Sequence, residues 1–185
     1  MSKGFFNVPI ASCEPIKSYA SGTSEREEVL SEYNRMYNSH IDIPMHIGGK
    51  EFYTDDKREL CPPHDHKHVV GTSNYGGEKE VRMAIDAAMK AREKWSQMGW
   101  EHRASIFLKA ADLLAGPFRA RMNAATMIAQ SKNVFQAEID ASCELIDFFK
   151  FNVQYMSQLY KEQPESSPGI WNRLEHRPLE GFVFA

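Results

Sequence analysis

No stretch of this 185-residue chain approaches the roughly 18 to 20 consecutive apolar residues that a membrane-spanning helix needs, which excludes a helical membrane protein and predicts a soluble one. The opening residues, MSKGFFNVPIASCEPIKSY, lack the continuous apolar core of a secretory signal. An arginine-rich amphipathic leader is missing as well, the first arginine being Arg26 inside the acidic run SEREE. These absences predict a cytoplasmic address, or the mitochondrial matrix in a eukaryotic source. Cysteine is scarce: Cys13, Cys61 and Cys143 are odd in number and far apart, which argues against a disulfide framework and for a reducing compartment. An excess of positive charge is also lacking, since 22 Lys and Arg face 25 Asp and Glu for a net charge of -3, and this excludes a nucleic-acid coat protein. Neither G-x-G-x-x-G nor G-x-x-x-x-G-K-[ST] occurs, and the Gly-Gly pairs at 48 and 76 read as turns, so phosphate binding has no local support. Internal repeats and low-complexity tracts are absent.

What remains is an ordinary globular composition, 42% hydrophobic and 25% charged, at a length that suits one domain with an extension or a piece of something larger. Residues 1–43 read as an N-terminal extension with one short helix, entered at SGTSERE and running to about Tyr37. MHIGGKEFYT reads as a hairpin around Gly48-Gly49, and HVVGTSNY as a further strand between the Pro62-Pro63 breaker and Gly76-Gly77. Beyond Gly77 the period becomes helical. Val81, Ala84, Ile85, Ala88, Ala91 and Trp95 mark one face expected to be buried. Ala104, Phe107, Leu108, Ala111 and Leu114 repeat the pattern up to Gly116-Pro117, with Gly116 suited to a left-handed helix end. A third helix is expected over about Pro117–Gln130 and a fourth over about Val134–Lys161. The fourth carries two apolar faces, Ile139, Cys143, Ile146, Phe149 and Val153 on one and Ala137, Ala141, Phe148, Phe151 and Tyr155 on the other, and is expected to be buried on most sides. After a turn-rich connector, with a short strand expected at Ile170–Glu175, the run Gly181–Ala185 has the look of a strand buried on both faces of a parallel sheet. A core strand that opens and stops would leave an unpaired edge, so the sequence is expected to be a piece of a longer protein.

Three features bear on chemistry. CPPHDHKH packs Cys61, His64, Asp65, His66 and His68 into one short stretch, all of them able to ligate a transition metal, but no second ligand pair follows at zinc-site distance. An ordinary turn into a strand is the favoured reading, and no metal site is assigned. Cys143 falls mid-helix on an apolar face, where a thiol acts as a small hydrophobe, and no cysteine is read as a nucleophile. Glu144 shares a helix face with Ala141, Phe148 and Phe151, where an unpaired carboxylate is expensive to bury. With Asp140 and Asp147 within a turn, the bland reading is a solvated acidic edge, and the functional one is a pocket carboxylate facing an ammonium group.

The run RASIFLKAADLLAGPFRARMNAATMIAQSKNVFQAEIDASCELIDFFKFN, followed after the connector by LEGFVFA, resembles the N-terminal part of the 1-pyrroline-5-carboxylate dehydrogenases, also called L-glutamate γ-semialdehyde dehydrogenases, of the aldehyde dehydrogenase superfamily. QAEIDA and ELIDFFKFN carry the resemblance most specifically. It covers roughly residues 41–185 and is weaker upstream. It implies an α/β fold, the incomplete N-terminal part of a Rossmann-like NAD-binding domain over residues 44–185, contributing mostly its helical layer and a few short strands. It implies NAD-dependent oxidation of L-glutamate γ-semialdehyde to L-glutamate in proline degradation, by thiolate attack on the aldehyde, hydride transfer to the nicotinamide and release of the acyl group by a glutamate-assisted water. The catalytic and cofactor-binding residues of that scheme fall beyond Ala185, so the fragment alone is expected to be inactive, and no residue here is assigned to catalysis or to NAD. The resemblance places Glu144 beside the aldehyde tunnel, near the amino group of the substrate, and reads residues 164–178 as the start of an arm through which subunits form a homo-oligomer. SKN at 131–133 departs from a glycine-containing turn common in the family. Two other readings use the same residues: a non-catalytic binding or regulatory module that pairs with full-length subunits, and a small metal-binding module built on Cys61, His64, His66 and His68.

Overall fold

The computed structural model describes residue 4 and residues 6–185. Helix α1 (Ser24–Tyr37) precedes five short strands, β1 (Ile41–Ile43), β2 (Met45–Ile47), β3 (Lys50–Phe52), β4 (Lys57–Leu60) and β5 (Gly71–Asn74). Helices α2 (Glu78–Gln97), α3 (Trp100–Ala115), α4 (Arg119–Gln130), α5 (Val134–Ala137) and α6 (Glu144–Lys161) follow, with a π-helical turn, Glu138–Cys143, joining the last two. The α/β class read from the sequence, a helical layer with a few strands, is the one that forms. No helix among the described residues is long and apolar enough to cross a membrane.

The β2–β3 hairpin closes around Gly48 and Gly49, whose φ angles of 58° and 78° are the reason glycine stands there. In the other sheet β5 is central, parallel to β1 and antiparallel to β4. These strands carry little apolar surface and are stitched by side chains instead. Asp42 accepts from Thr72 Oγ1 at 2.9 Å, Asn74 Nδ2 at 2.7 Å and Lys57 Nζ at 2.6 Å, joining all three strands. Gly71 permits the approach of β1, because a β-carbon there would stand 2.2 Å from the Ile41 carbonyl oxygen. β1 lies in the segment read as an extension, and β4 (KREL) shows no apolar alternation; neither was anticipated.

The helices pack through two small cores. Tyr19, Val29 and Ala124 join the N-terminal segment, α1 and α4, while Ala111, Leu114 and Ile146 join α3 and α6. Asn133 caps α5 by accepting from the Gln136 amide at 3.0 Å, and Gln136 Oε1 accepts from the Asn133 amide at 3.0 Å. Ser131, in the SKN turn, takes the left-handed conformation itself, with φ 54°.

Several expectations are corrected. The stripe on α2 is not buried: no residue of that helix is fully covered, and Val81 and Trp95 are exposed, because among the described residues little more than the β2–β3 hairpin and the edge of α3 touches it. The fourth helix is not one α-helix but α5, the π turn and α6. It is buried on fewer sides than expected: Cys143, Ile146 and Val153 of the first face and Ala137 of the second are covered, by α3 and α4, but Ile139 of the first face and Phe148 and Tyr155 of the second are about half exposed. Gly116 ends α3 at φ -101°, outside the left-handed region. Residues 170–175 and 181–185 form no strand, since a strand needs a partner edge and none among the described residues reaches them.

Candidate functional site

The π turn organises the site. Residues five apart diverge on an α-helix but share a face where the helix widens to a π turn, so Cys143 comes onto the face of Glu138, its Sγ 3.7 Å from Oε1. Both point inward, and Glu138 is completely buried.

A buried carboxylate must be met by donors, and five N–H and O–H groups converge on this one besides the Cys143 thiol. Oε1 accepts from the Lys17 amide at 2.8 Å and from Arg119 Nη2. Oε2 accepts from the Tyr19 hydroxyl at 2.7 Å, Asn123 Nδ2 at 2.8 Å and Arg119 Nε at 3.2 Å. Arg119 is thus bound bidentately, and it reaches on to Glu14 Oε1 at 2.6 Å and the Pro15 carbonyl at 2.7 Å. Lys150 Nζ donates to the other oxygen of Glu14 at 2.8 Å, and Ser142 Oγ donates to Asn123 Oδ1 at 2.6 Å. Burial alone would raise the Glu138 carboxyl; the Arg119 guanidinium, the Lys17 amide, Tyr19 and Asn123 outweigh it and hold the pKa at about 2. Burial works against the Arg119 charge too, but Glu138 and Glu14 keep it above its ordinary value. The Cys143 thiol is pushed up to about 11 by burial and then by the Glu138 charge, so it stays protonated and offers no nucleophile. This network fastens residues 14–19 to α4 and the π turn.

On the outer side of the same turn lies the residue singled out from the sequence. Glu144, the first residue of α6, is exposed and lines an open groove of about 640 Å³. Ile139, Phe148 and Phe151 form one wall of that groove, and Cys13, Glu14 and Ile16 contribute to the other. Of the acidic edge, Asp140 is held by Lys132 Nζ at 2.6 Å, and Asp147 Oδ1 accepts from the Glu14 amide at 2.7 Å. Glu144 has no such partner among the described residues. Its place suits a cationic group lying against apolar walls, the arrangement of a small-molecule site.

The histidine-rich stretch goes elsewhere. His64 bonds Ser131 Oγ through Nδ1 at 2.8 Å, Asp65 accepts from the Tyr37 hydroxyl at 2.8 Å, and His68 stacks on Tyr37 with ring centroids 4.1 Å apart. Its side chains pin the β4–β5 connection to α1 and to the turn after α4. Among the described residues no three His, Cys, Asp or Glu side chains converge as a metal site.

Residues 52–185 match the aldehyde dehydrogenase family. The chain belongs to that family. A Schizosaccharomyces pombe protein named as a probable delta-1-pyrroline-5-carboxylate dehydrogenase is 44% identical over 182 residues, 97% of this chain and 33% of that protein. The delta-1-pyrroline-5-carboxylate dehydrogenase of Agaricus bisporus gives the same identity and coverage. The crystal structure of the delta-pyrroline-5-carboxylate dehydrogenase from Mycobacterium tuberculosis bound with NAD matches with a TM-score of 0.96 at 42% identity, over 98% of this chain and 34% of that one. The chain therefore spans about a third of the length of these relatives. Its α/β fold is that of a partial aldehyde dehydrogenase domain. Likeness to these relatives also takes in nearly all of the segment upstream of residue 41, where the sequence resemblance was weaker.

Sequence reasoning singled out Glu144, which lines the groove, and passed over Arg119, Asn123 and Glu138. The available signal was an arginine and an asparagine four apart on the apolar face of α4, together with the glutamate of QAEIDA, three polar groups that need partners if their helices are buried.

Proposed function

We propose that the chain is the N-terminal third of an NAD-dependent dehydrogenase that oxidises L-glutamate γ-semialdehyde to L-glutamate, a step of proline degradation. What carries the reading is identity of 42–44% to dehydrogenases named for 1-pyrroline-5-carboxylate, over 97–98% of the chain. Within it, Glu144 accepts a charge-assisted hydrogen bond from the substrate's amino group, and Phe148 and Phe151 shield the aliphatic carbons from water. The residues present do not fit the nucleotide. They include no glycine-rich cradle for its phosphates, and the cofactor-binding and catalytic groups belong to the region the family resemblance places after Ala185. That region would hold NAD, which would supply the hydride acceptor.

The test is NADH formation from NAD and the semialdehyde. The 185 residues alone are expected to give none, and a protein carrying them together with the remaining two thirds of the family length is expected to turn over. Absence of turnover in the longer protein would sink the assignment. Residues 164–178, exposed throughout, are assigned to an arm that joins subunits into a homo-oligomer. A monomer mass by light scattering of the longer protein would remove that role. The compartment this reading assigns is the cytoplasm, or the mitochondrial matrix in a eukaryotic source, in keeping with three free cysteines and with relatives such as the Emericella nidulans enzyme that are named as mitochondrial.

A further inference from the structure

The groove beside Glu144 has two walls of different origin. One, on the π turn and α6, lies inside the span that matches the aldehyde dehydrogenase family; the other, Cys13, Glu14 and Ile16, lies upstream of residue 52, where that match begins. The upstream wall has no secondary structure of its own. It is held by its ends and by charge: the Ala11 amide donates to Gln154 Oε1 at 2.6 Å, the Glu14 amide to Asp147, and the Lys17 amide to the buried Glu138. Glu14 is gripped on both carboxylate oxygens by Arg119 and Lys150. Such a tether fixes a strap of extended chain across helix α6 with its side chains at defined places. Ile16 lines the groove and is nevertheless 61% exposed, so neither of the two small cores accounts for it.

We infer that the Cys13–Ile16 strap is a specificity-determining wall of the groove that receives the amino end of the substrate, with Ile16 limiting what fits beside Glu144. Arg119 is its positioning residue, touching the strap through Glu14 and Pro15 and the π turn through Glu138. The inference rests on the reading of Glu144 as the substrate's partner. A wall supplied from outside the family-wide module is where a branch of the family can set its substrate choice without altering the shared chemistry, because contacts to the non-reacting end act on selection among aldehydes.

The experiment uses the full-length dehydrogenase, with KM and kcat measured for L-glutamate γ-semialdehyde and for the same semialdehyde lacking the amino group. Ile16→Trp overfills the groove at an exposed position and is expected to raise KM for the amino substrate at least about tenfold, with kcat within about twofold. Ile16→Leu keeps the volume and is expected to behave as the parent. Glu144→Gln is expected to raise the same KM about ten- to hundredfold, leaving the amino-free aldehyde little affected. Changes in both Trp and Gln variants support the wall. An effect of Glu144→Gln alone overturns the wall and leaves Glu144 in its role. No effect of either overturns both assignments, and an unmutated enzyme that does not turn over overturns the functional reading and the wall with it.

Discussion

Replacing Arg119 with Met is expected to lower the free energy of unfolding by about 3–5 kcal/mol, because Glu138 then keeps its charge in a fully buried site without its counter-ion. Tyr19, Asn123 and the Lys17 amide would remain as donors, but they are dipoles, and Glu14 would also lose one of its two cations. The double replacement Arg119→Met with Glu138→Leu is expected to recover most of the loss, since exchanging both members of a buried pair for apolar groups of similar size is often close to neutral. Urea denaturation of the four members of this cycle measures it. A single-variant loss below about 1 kcal/mol would mean that water reaches the pair, and the account of a dry network would fail.

Acid is the second large effect. Glu138 titrates near 2 in the folded chain against an ordinary 4.5. A carboxyl whose pKa is lowered by folding adds stability that is complete above the unfolded value and is lost as pH falls through the folded one. The window therefore runs from about 4.5 down to about 2, and the amount is about 3 kcal/mol, from the 1.36 kcal/mol that accompanies each unit. Glu14, also lowered despite its burial through Lys150 and Arg119, adds in the same direction. Unfolding free energies are expected to be level near pH 6 and to decline below about 4.5. In the double variant without Glu138 the decline should be distinctly shallower. An equal decline there would assign acid sensitivity to the surface carboxylates instead.

The helical layer was legible where spacing alone decides the structure. Ala104, Ala111 and Leu114 are buried on α3 as their period requires, and Asn133 with Gln136 announces a helix start by residue type. Periodicity identified α2 correctly as a helix but could not say what lies against its stripe, because amphipathicity records a face and not its partner. Strands β1 and β4 were illegible because their pairing rests on Asp42, Lys57, Thr72 and Asn74, residues that ordinarily mark surface. Glu144 could be picked out since a carboxylate among aromatics on one helix is a local anomaly. The residues of the buried network could not: Glu14 and Arg119 are 105 positions apart, Tyr19 and Glu138 are 119, and in a single sequence each looks like one more polar residue.

The π turn also bears on which lengths of chain are tolerated. A six-residue stretch wound at i to i+5 holds more chain per turn than the α-helix around it, so Glu138–Cys143 is a local surplus lodged inside a helical rod. Removing one residue there would let the rod close into continuous α-helix with the face of α6 kept, because the π turn already absorbs the extra residue and Glu138 with Cys143 would become an ordinary i, i+4 pair. Removing one residue inside α6, such as Asp147, would instead turn everything after it by about 100° and take Val153 off its buried face. A reading frame shortened by one codon is therefore absorbed at the π turn and misaddresses the helix a few residues later.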